Sequence, residues 1–490
     1  MKPDPPVELE AGPGFRLPDL DERSAGLRAT KAVTERFVTT VYDTQDFRLL
    51  RWGATLGYRP SRGWSVRLPL ASHREVEFQG AAGTTPPAAA VDLVLGLTRG
   101  VELAPVFHLQ SVRRELSLEG VGDRRSAARL IDDEISRLGA GDRRPFHRLT
   151  LESADGADPS SIGAVLDRLT DAGAKHAAPA ALARALEVHG ATSPDVVTVA
   201  LGPSSTVAEV VASSIGASVA RLMQHDGPVR LGEDPEGVHQ ARVAARRLRS
   251  DLRTFRSVLD RDWRDRLRAE LRWLCDELGG VRDADVLGER LRGRVMALSD
   301  DDATNARILL DRLRARHDAA RAELLSAMRE PRYRSLLDGL VDAAAAPRVL
   351  KEVAGEPAAE VLGVVMEAPW AHLQKLCDGL TAEAGDAELH QARIRAKRVR
   401  YAAEALTPVF GKPARRFARR AESLQEVLGT HQDAVMTIEW LRLQSRGMTP
   451  RAAFAAGRLA GIEATARDEA RAHWPEVWTT LRRKRLRFWA

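Results

Sequence analysis

The sequence predicts an α+β chain of two parts, a sheet domain followed by an all-helical domain built from an internal duplication. Three observations predict it. Short β-type runs broken by Gly and Pro clusters extend to about residue 189. After Thr206 the pattern changes to apolar residues at three- and four-residue spacing in an Ala/Leu/Arg/Glu-rich background. Within that helical part, a basic segment recurs 151 positions later.

Taken in order, residues 1–189 read as the sheet domain, with strand-like runs such as Phe37-Val38-Thr39-Thr40-Val41-Tyr42 and Trp64-Ser65-Val66-Arg67-Leu68. Two helices are expected in it, Ala89 to Leu97 and Ser160 to Ala174, the second started by a serine and ended near Gly173. Residues 190–205, with Pro194, Gly202 and Pro203, read as a linker. Residues 206–488 form the helical domain, and a break from Ala343 to Pro357 divides it into halves of about 206–342 and 358–488, each expected to be a small bundle.

At 490 residues the chain is long enough for two or three cores. Its two cysteines, Cys275 and Cys377, are far apart and form no CxxC pair, which argues against a disulfide framework or a cysteine zinc site and fits a reducing cytoplasm. The start, MKPDPPVELE, lacks an apolar h-region, and no apolar run approaches 18 residues, so neither secretion nor membrane spanning is expected.

The net charge of +6 is unevenly placed. Residues 1–200 hold 25 Lys+Arg against 27 Asp+Glu, which leaves 49 against 41 of the chain's 74 and 68 for the remainder. The positive field therefore belongs to the helical part and suits an acidic partner. Aromatics make up only 5% of the chain, and the basic region lacks the interleaved Phe and Tyr that stack on bases, so a phosphate binder is expected ahead of a nucleic-acid reader.

The duplicated segments are Val238-His239-Gln240-Ala241-Arg242-Val243-Ala244-Ala245-Arg246-Arg247-Leu248-Arg249 and Leu389-His390-Gln391-Ala392-Arg393-Ile394-Arg395-Ala396-Lys397-Arg398-Val399-Arg400. Each is followed by a second matched block, Leu278-Gly279 with Asp283-Ala284 and Leu428-Gly429 with Asp433-Ala434. At about 100° per residue, His239, Arg242, Arg246, Arg249 and Arg253 fall within roughly 80° of one helix face. His390, Arg393, Lys397 and Arg400 occupy the same arc of the second helix. Ala241, Ala244, Ala245, Leu248, Leu252 and Phe255 gather about 130° round, where they can pack into a core.

A solvated basic helix usually carries acids three or four residues from its bases. Arg242, Arg246, Arg249, Arg393 and Lys397 have none at those positions; acids appear only at the stripe ends, as Glu236, Asp386 and Glu404. Stacked like charges repel, and their repetition in both copies points to an anion that pairs them. Arginine's planar fork suits two phosphate oxygens, lysine adds a point charge, and the histidines can donate to phosphate. Asp283 and Asp433 are read as capping or orienting neighbouring helices, and Arg266 and Arg416 as weak supplements to the groove.

With these motifs in view, residues from about 204 to 488 resemble the CHAD domain. The resemblance implies an antiparallel helical fold with internal two-fold symmetry that binds inorganic polyphosphate in a basic groove. It assigns as ligands His239, Arg242, Arg246, Arg249, His390, Arg393, Lys397 and Arg400; Arg253 extends that stripe by spacing. Both stripes are expected to face one cavity.

Residues 7 to 189 resemble the CYTH domain more loosely, through Val7-Glu8-Leu9-Glu10, Tyr42-Asp43-Thr44 with Asp46 and Leu49, Gly53 with Thr55-Leu56, Trp64 to Pro69, and Arg113-Arg114. That resemblance implies an eight-stranded antiparallel β-barrel or tunnel holding triphosphate on inward bases, with Mg2+ or Mn2+ on alternating glutamates. Residues at i and i+2 of a strand share a face, which is why an ExE pair can direct two carboxylates at one metal.

The chain departs from that chemistry repeatedly. The opening Glu8-Leu9-Glu10-Ala11-Gly12 lacks the family's lysine, the late strand keeps only Glu152 of a paired ExE, and Ala181 and Gly57 stand where bases are expected. Lost carboxylates remove the metal, and lost bases leave phosphate charge uncompensated.

The leading expectation is therefore polyphosphate binding beside a catalytically impaired sheet domain, in the cytoplasm and associated with polyphosphate granules. An alternative is a metal-dependent triphosphatase using Arg59, Arg67 and Arg113 as bases and Glu8, Glu10 and Glu152 as metal ligands. In that reading Asp132-Asp133-Glu134 would be replacement acids; otherwise the triplet marks an exposed strand end or turn. A third reading, nucleic-acid phosphate binding, draws on the C-terminal Arg482-Arg483-Lys484-Arg485. Binding requires no cofactor in the leading reading.

Overall fold

The structure, a computed structural model, describes residues 6–20, 27–69, 75–78, 83–120, 126–139, 145–154, 157–177, 181–187, 193–381 and 383–489. It divides into two compact units, Met1–Asp195 with Met223–Leu231, and Val196–Leu222 with Gly232–Ala490.

The first unit is a curled antiparallel sheet. Its strands are β1 (Val7–Ala11), β2 (Leu27–Ala29), β3 (Val33–Asp43), β4 (Thr55–Arg59), β5 (Gly63–Arg67), β6 (Glu75–Phe78), β7 (Ala104–Gly120), β8 (Ser126–Arg137), β9 (Phe146–Ser153) and β10 (Lys175–His176). They run in the order β10-β1-β9-β8-β7-β3-β4-β5-β6, with β2 added to β7. No pairing closes the sheet among the described residues, so the expected tunnel is a half-barrel with ten strands, two of them only two or three residues long. The curl is nevertheless real, because Arg67 of β5 pairs with Glu8 of β1, strands well separated in the sheet order.

Five short helices accompany it: α1 (Arg48–Arg51), α2 (Ala88–Leu93), α3 (Leu95–Thr98), α4 (Pro159–Asp171) and α5 (Ala181–Ala185). The helix expected over 89–97 is thus two helices, separated at Val94, whose φ of −104° and ψ of 4° leave the helical region. Helix α4 begins where Asp158 accepts from the Ser160 N–H and Pro159 takes the first turn. Its Val165 and Leu169 pack on Leu9, Leu118, Leu130, Leu149 and Leu151 from alternate positions of the strands. The Asp43 carboxylate accepts from the N–H groups of Thr44, Leu49 and Leu50 at 2.7, 2.9 and 2.9 Å, tying the end of β3 to α1.

The second unit is helical. Helix α6 (Val207–Leu231) is followed by α7 (Pro235–Thr254), α8 (Arg261–Val295), α9 (Asp300–Ala327), α10 (Pro331–Ala345), α11 (Lys351–Ala354), α12 (Ala358–Val361), α13 (Glu367–Asp378), α14 (Asp386–Ala405), α15 (Thr407–Ser445) and α16 (Pro450–Leu481). Met223–Leu231 of α6 group with the first unit. Helix α15 is broken at Gly411, whose φ of 63° is a left-handed conformation that glycine adopts without strain.

Helix α7 packs on α8 and on α14, α14 on α15, and α9 and α16 on one another. The face predicted for packing is buried, Ala241, Ala244, Ala245, Leu248, Leu252 and Phe255 of the α7 segment, and α14 buries Ala392, Ala396, Val399, Ala402 and Ala403. Alanine at these positions lets the backbones approach closely, and the basic stripes are carried on the remaining faces. Polar groups also cross this core. The buried Glu463 of α16 accepts from Arg290 and Arg294 of α8, which satisfies a carboxylate that burial alone would penalise. Cys275 and Cys377 are free and buried. Among the described residues, no helix is long and apolar enough to cross a membrane.

Candidate anion-binding site

Helix α7 starts at Asp234, whose side chain accepts from the Glu236 N–H, with Pro235 in the first turn. Helix α14 starts after Gly385, whose N–H donates to Glu388 at 2.9 Å. These starts fix the rotational phase of two helices that pack together, and the phase brings their basic stripes into one electrostatic neighbourhood. Arg242 and Arg246 of α7 act directly on Arg393 and Lys397 of α14.

Each of the first arginines has a seat on the next helix. Arg242 Nη1 lies 3.2 Å from Asp283 Oδ1, and Arg393 Nη2 lies 3.7 Å from Asp433 Oδ1. Gly279 and Gly429 leave room for them. A Cβ on Gly279 would stand 2.9 Å from Arg242 Nη1, and one on Gly429 would stand 3.6 Å from Arg393 Nε. The second matched block is thereby explained: glycine admits the guanidinium and the acid four residues on orients it. Asp283 and Asp433 do not cap anything, since they lie well inside α8 and α15.

Among the described residues, Arg246, Arg249, Arg253 and Lys397 have no carboxylate within ion-pair distance. Burial pushes the Lys397 amine down to about 6, reinforced by Arg246, Arg393 and Arg242 and opposed by Asp433. Burial also lowers Arg242 and Arg393. His239 is lowered by burial and then by Arg282, Arg242 and Arg246. The Nδ1 of His390 is buried without a hydrogen-bond partner. A concentration of desolvated cations of this kind stores electrostatic repulsion that an incoming anion relieves.

The other predicted residues have different surroundings. Arg400 donates to Glu404 at 2.7 Å and pairs with Glu422 at 2.7 Å, so its guanidinium is held by carboxylates. Arg249 borders a recess of about 360 Å³ with Arg268 and Arg272 of α8 and with Asp265, which lies 3.6 Å from Arg268. Arg268 and Arg272 extend the basic field where Arg266 was expected to do so. Arg266 is exposed, two residues from Arg268 and thus about 160° from it round the helix. Arg416 is exposed on α15. Arg282, beside His239 and Arg242, was not singled out by sequence; its place just before Asp283 in the second block was the available signal.

In the first unit, Arg59, Arg67, Arg113 and Arg148 face the hollow of the curled sheet together with Glu8, Glu75 and Asp133, and the charges pair internally. Arg113 donates to both oxygens of Asp133 at 2.7 and 2.9 Å, and Arg148 lies 3.4 Å from the same carboxylate. Arg59 stands 3.6 Å from Glu75, stacks on Phe37 at 3.9 Å, and donates to Thr39. Burial would raise Asp133, yet Arg113, Arg148 and Arg67 hold it below the usual carboxylate range.

Glu8 and Glu10 lie on β1 and Glu152 on the neighbouring β9, where Glu152 pairs with Arg129 at 3.3 Å, and Glu10 lies 3.6 Å from Arg184. No group of three His, Cys, Asp or Glu with metal-binding spacing occurs among the described residues. Asp132-Asp133-Glu134 is neither a strand end nor a turn: it lies inside β8, with Asp132 and Asp133 buried.

The CHAD domain family matches residues 213–442. Over 463 residues the chain is 31% identical to the uncharacterized protein Rv2226 of Mycobacterium tuberculosis H37Rv, covering 87% of this chain and 86% of that protein. It is 30% identical over the same shares to MT2285 of M. tuberculosis CDC 1551 / Oshkosh. Among solved structures, PptA from Streptomyces chartreusis is similar with a TM-score of 0.48 at 24% identity, over 56% of this chain and all of that one. The CHAD domain from the plant Ricinus communis is similar with a TM-score of 0.46 at 25% identity, over 58% of this chain and 95% of that one.

Proposed function

Because the chain belongs to the family of the mycobacterial protein Rv2226 and carries a CHAD domain, we propose that it binds inorganic polyphosphate in the groove between α7 and α14. The observation that carries this reading is the convergence of Arg246 and Lys397, both without a carboxylate partner among the described residues, beside Arg242 and Arg393. A chain of closely spaced phosphates supplies several negative charges in a row, which a single phosphate or carboxylate does not. Arginine holds two oxygens of each tetrahedral group, and Lys397 completes the cradle once an anion draws its proton on.

We read the two halves as related by a pseudo-two-fold, with His239, Arg242 and Arg246 answered by His390, Arg393 and Lys397. Arg249 and Arg253 continue the track from one end. Arg400 supports the helix pair through Glu404, which also accepts from Arg247 of α7 at 2.5 Å. Polyphosphate granules in the cytoplasm are the proposed place of action.

The first unit is read as a CYTH-like sheet whose inward arginines are spent on Glu8, Glu75 and Asp133. That pairing supports the binder over the triphosphatase, because triphosphate would have to displace buried carboxylates to reach the bases.

The test is titration with long-chain polyphosphate at physiological salt, beside a variant carrying Arg242→Ala, Arg246→Ala, Arg393→Ala and Lys397→Ala. Tight binding by the parent, lost in a variant that still melts cooperatively, is the expected result. Equal binding by both would remove the groove. Competition with DNA of equal charge separates the nucleic-acid reading, for which DNA would win; salt dependence alone would not, since either ligand shows it.

A further inference from the structure

The C-terminal end of α7 and a different face of α14 border a recess of about 240 Å³. Arg253 and Arg256 come from α7, Arg395 and Arg398 from α14, and His372 from α13. At 100° per residue, Arg395 stands about 160° round α14 from both Arg393 and Lys397, and Arg398 about 140° and 100° from them, so α14 turns a different face to this recess than to the groove, while Arg253 of the α7 stripe borders both. The lining holds no acid, and among the described residues none of the four arginines has a carboxylate within ion-pair distance.

The cluster is both set in place and strained. Arg395 donates to the His372 carbonyl at 2.7 Å, which fixes its head. Burial, then Arg398, Arg268, Arg249 and Arg256, pushes Arg253 down to about 10. Three hydroxyl residues, Ser250, Thr254 and Ser257, lie among these bases.

The remaining wall is apolar. Val364, Val365, Ala368 and Pro369 form it, and Val364 is 60% exposed although it sits beside this charge. A bare phosphate chain gains nothing from such a wall, because each phosphate presents only charged oxygens. A ligand with a phosphate at one end and a compact organic body at the other matches both halves of the lining, and the volume suits a molecule of modest size.

We propose that this recess is a second anion site, adjoining the end of the groove at Arg253, that takes a small phosphomonoester with its phosphate on Arg395 and Arg398 beside Arg253 and its organic body against Val364, Val365 and Pro369. The proposal does not depend on polyphosphate binding. The lining explains the ligand class: guanidiniums without acids select the dianion, and the apolar wall distinguishes an ester from inorganic phosphate by removing organic surface from water.

The experiment titrates the full chain with adenosine 5′-monophosphate, ribose 5-phosphate and inorganic phosphate. Both esters are expected to bind at least about ten-fold more tightly than inorganic phosphate, the nucleotide more so if its ring reaches the wall. Arg395→Ala with Arg398→Ala is expected to weaken ester binding by roughly ten-fold or more. Val364→Ser, an uncharged change at a position 60% exposed, should weaken the esters more than inorganic phosphate. Arg246→Ala with Lys397→Ala should leave ester binding within about two-fold while long-chain polyphosphate is lost. The proposal is overturned if the parent binds neither ester more tightly than inorganic phosphate, or if the Arg395/Arg398 variant, melting like the parent, binds the esters equally well.

Discussion

Arg242 of α7 and Asp283 of α8 face one another at 3.2 Å across a helix surface that Gly279 leaves bare. The acid fixes the guanidinium without extinguishing the field, because Arg246 and Lys397 next to it have no carboxylate partner among the described residues. A half-buried arginine held by one carboxylate on one side keeps N–H groups for a ligand on the other. Arg393 and Asp433 repeat the arrangement at 3.7 Å, so orientation and binding are divided between two helices in each half.

Gly279 tests that division. A glycine inside a helix is less favourable than alanine by about 1 kcal/mol, so Gly279→Ala should leave α8 as stable or slightly more stable. Its new methyl would meet Arg242 Nη1 at 2.9 Å and displace it. Polyphosphate affinity should fall several-fold while the melting temperature holds or rises. Gly429→Ala meets Arg393 only at 3.6 Å and should leave affinity nearly unchanged, so equal losses at both positions would reject the seating role.

Lys397 makes binding pH-dependent. Its amine is pushed down to about 6 in the folded chain, far below its ordinary value, so at pH 7.5 it is mostly neutral before an anion arrives. A bound polyanion favours the charged form, and the complex therefore takes up a proton. Affinity should weaken as pH rises from 6 to 8, by up to one decade per unit, and calorimetry in buffers of different ionisation enthalpy should report proton uptake. Lys397→Met should abolish most of that uptake and weaken binding. It should also raise the melting temperature near pH 7, because the unfolded chain binds a proton there that the folded chain does not. Unchanged proton uptake in the variant would show that another group carries the linkage.

The helical site was legible because a 3.6-residue period converts spacing directly into a shared face, and because the motif occurs twice. What spacing could not show were partners on other helices. Asp283 lies 41 positions from Arg242, and nothing in either segment announces that they meet. Arg268, Arg272, Arg395 and Arg398 were hidden for the same reason, since they join the basic field only through packing. In the sheet unit, alternation predicted which residues face inward, but the pairing of Arg67 with Glu8 depends on the curl. Bases read as ligand-binding are therefore neutralised by acids from other strands. Asp132 and Asp133 were misread because two adjacent acids look exposed until His147 and Arg113 are seen opposite them, at 2.8 and 2.7 Å.

Asp133 should consequently be a structural residue. It is buried and accepts from Arg113 through two hydrogen bonds, with Arg148 close by. Asp133→Asn leaves two inward guanidiniums short of charge, and breaking a buried pair by removing one partner costs about 3 kcal/mol or more. The denaturation midpoint of the sheet unit should fall clearly. A variant as stable as the parent would mean that the hollow is wet enough for water to replace the carboxylate, and would reopen it as a site for anions.

Asp251 gives stability a pH slope opposite to that of Lys397. It is fully buried on the core face of α7, accepts from Ser214 at 3.0 Å, and its Oδ1 has no hydrogen-bond partner. Burial pushes its carboxyl up to about 7, with Arg247 and Ser214 opposing and Glu404 adding to the rise. Since the folded value lies above the unfolded one, the folded chain holds a proton between about pH 4 and 7 that the unfolded chain has released. This group's contribution is thus full below about pH 4 and is lost as pH rises to 7. Asp251→Asn, neutral throughout, should raise the melting temperature at pH 8 and change it little at pH 4.5. If the variant is instead destabilised at pH 8, Asp251 is ionised and held by Arg247 across the helix surface, and its negative charge counts among the forces that fix α7 beneath the groove.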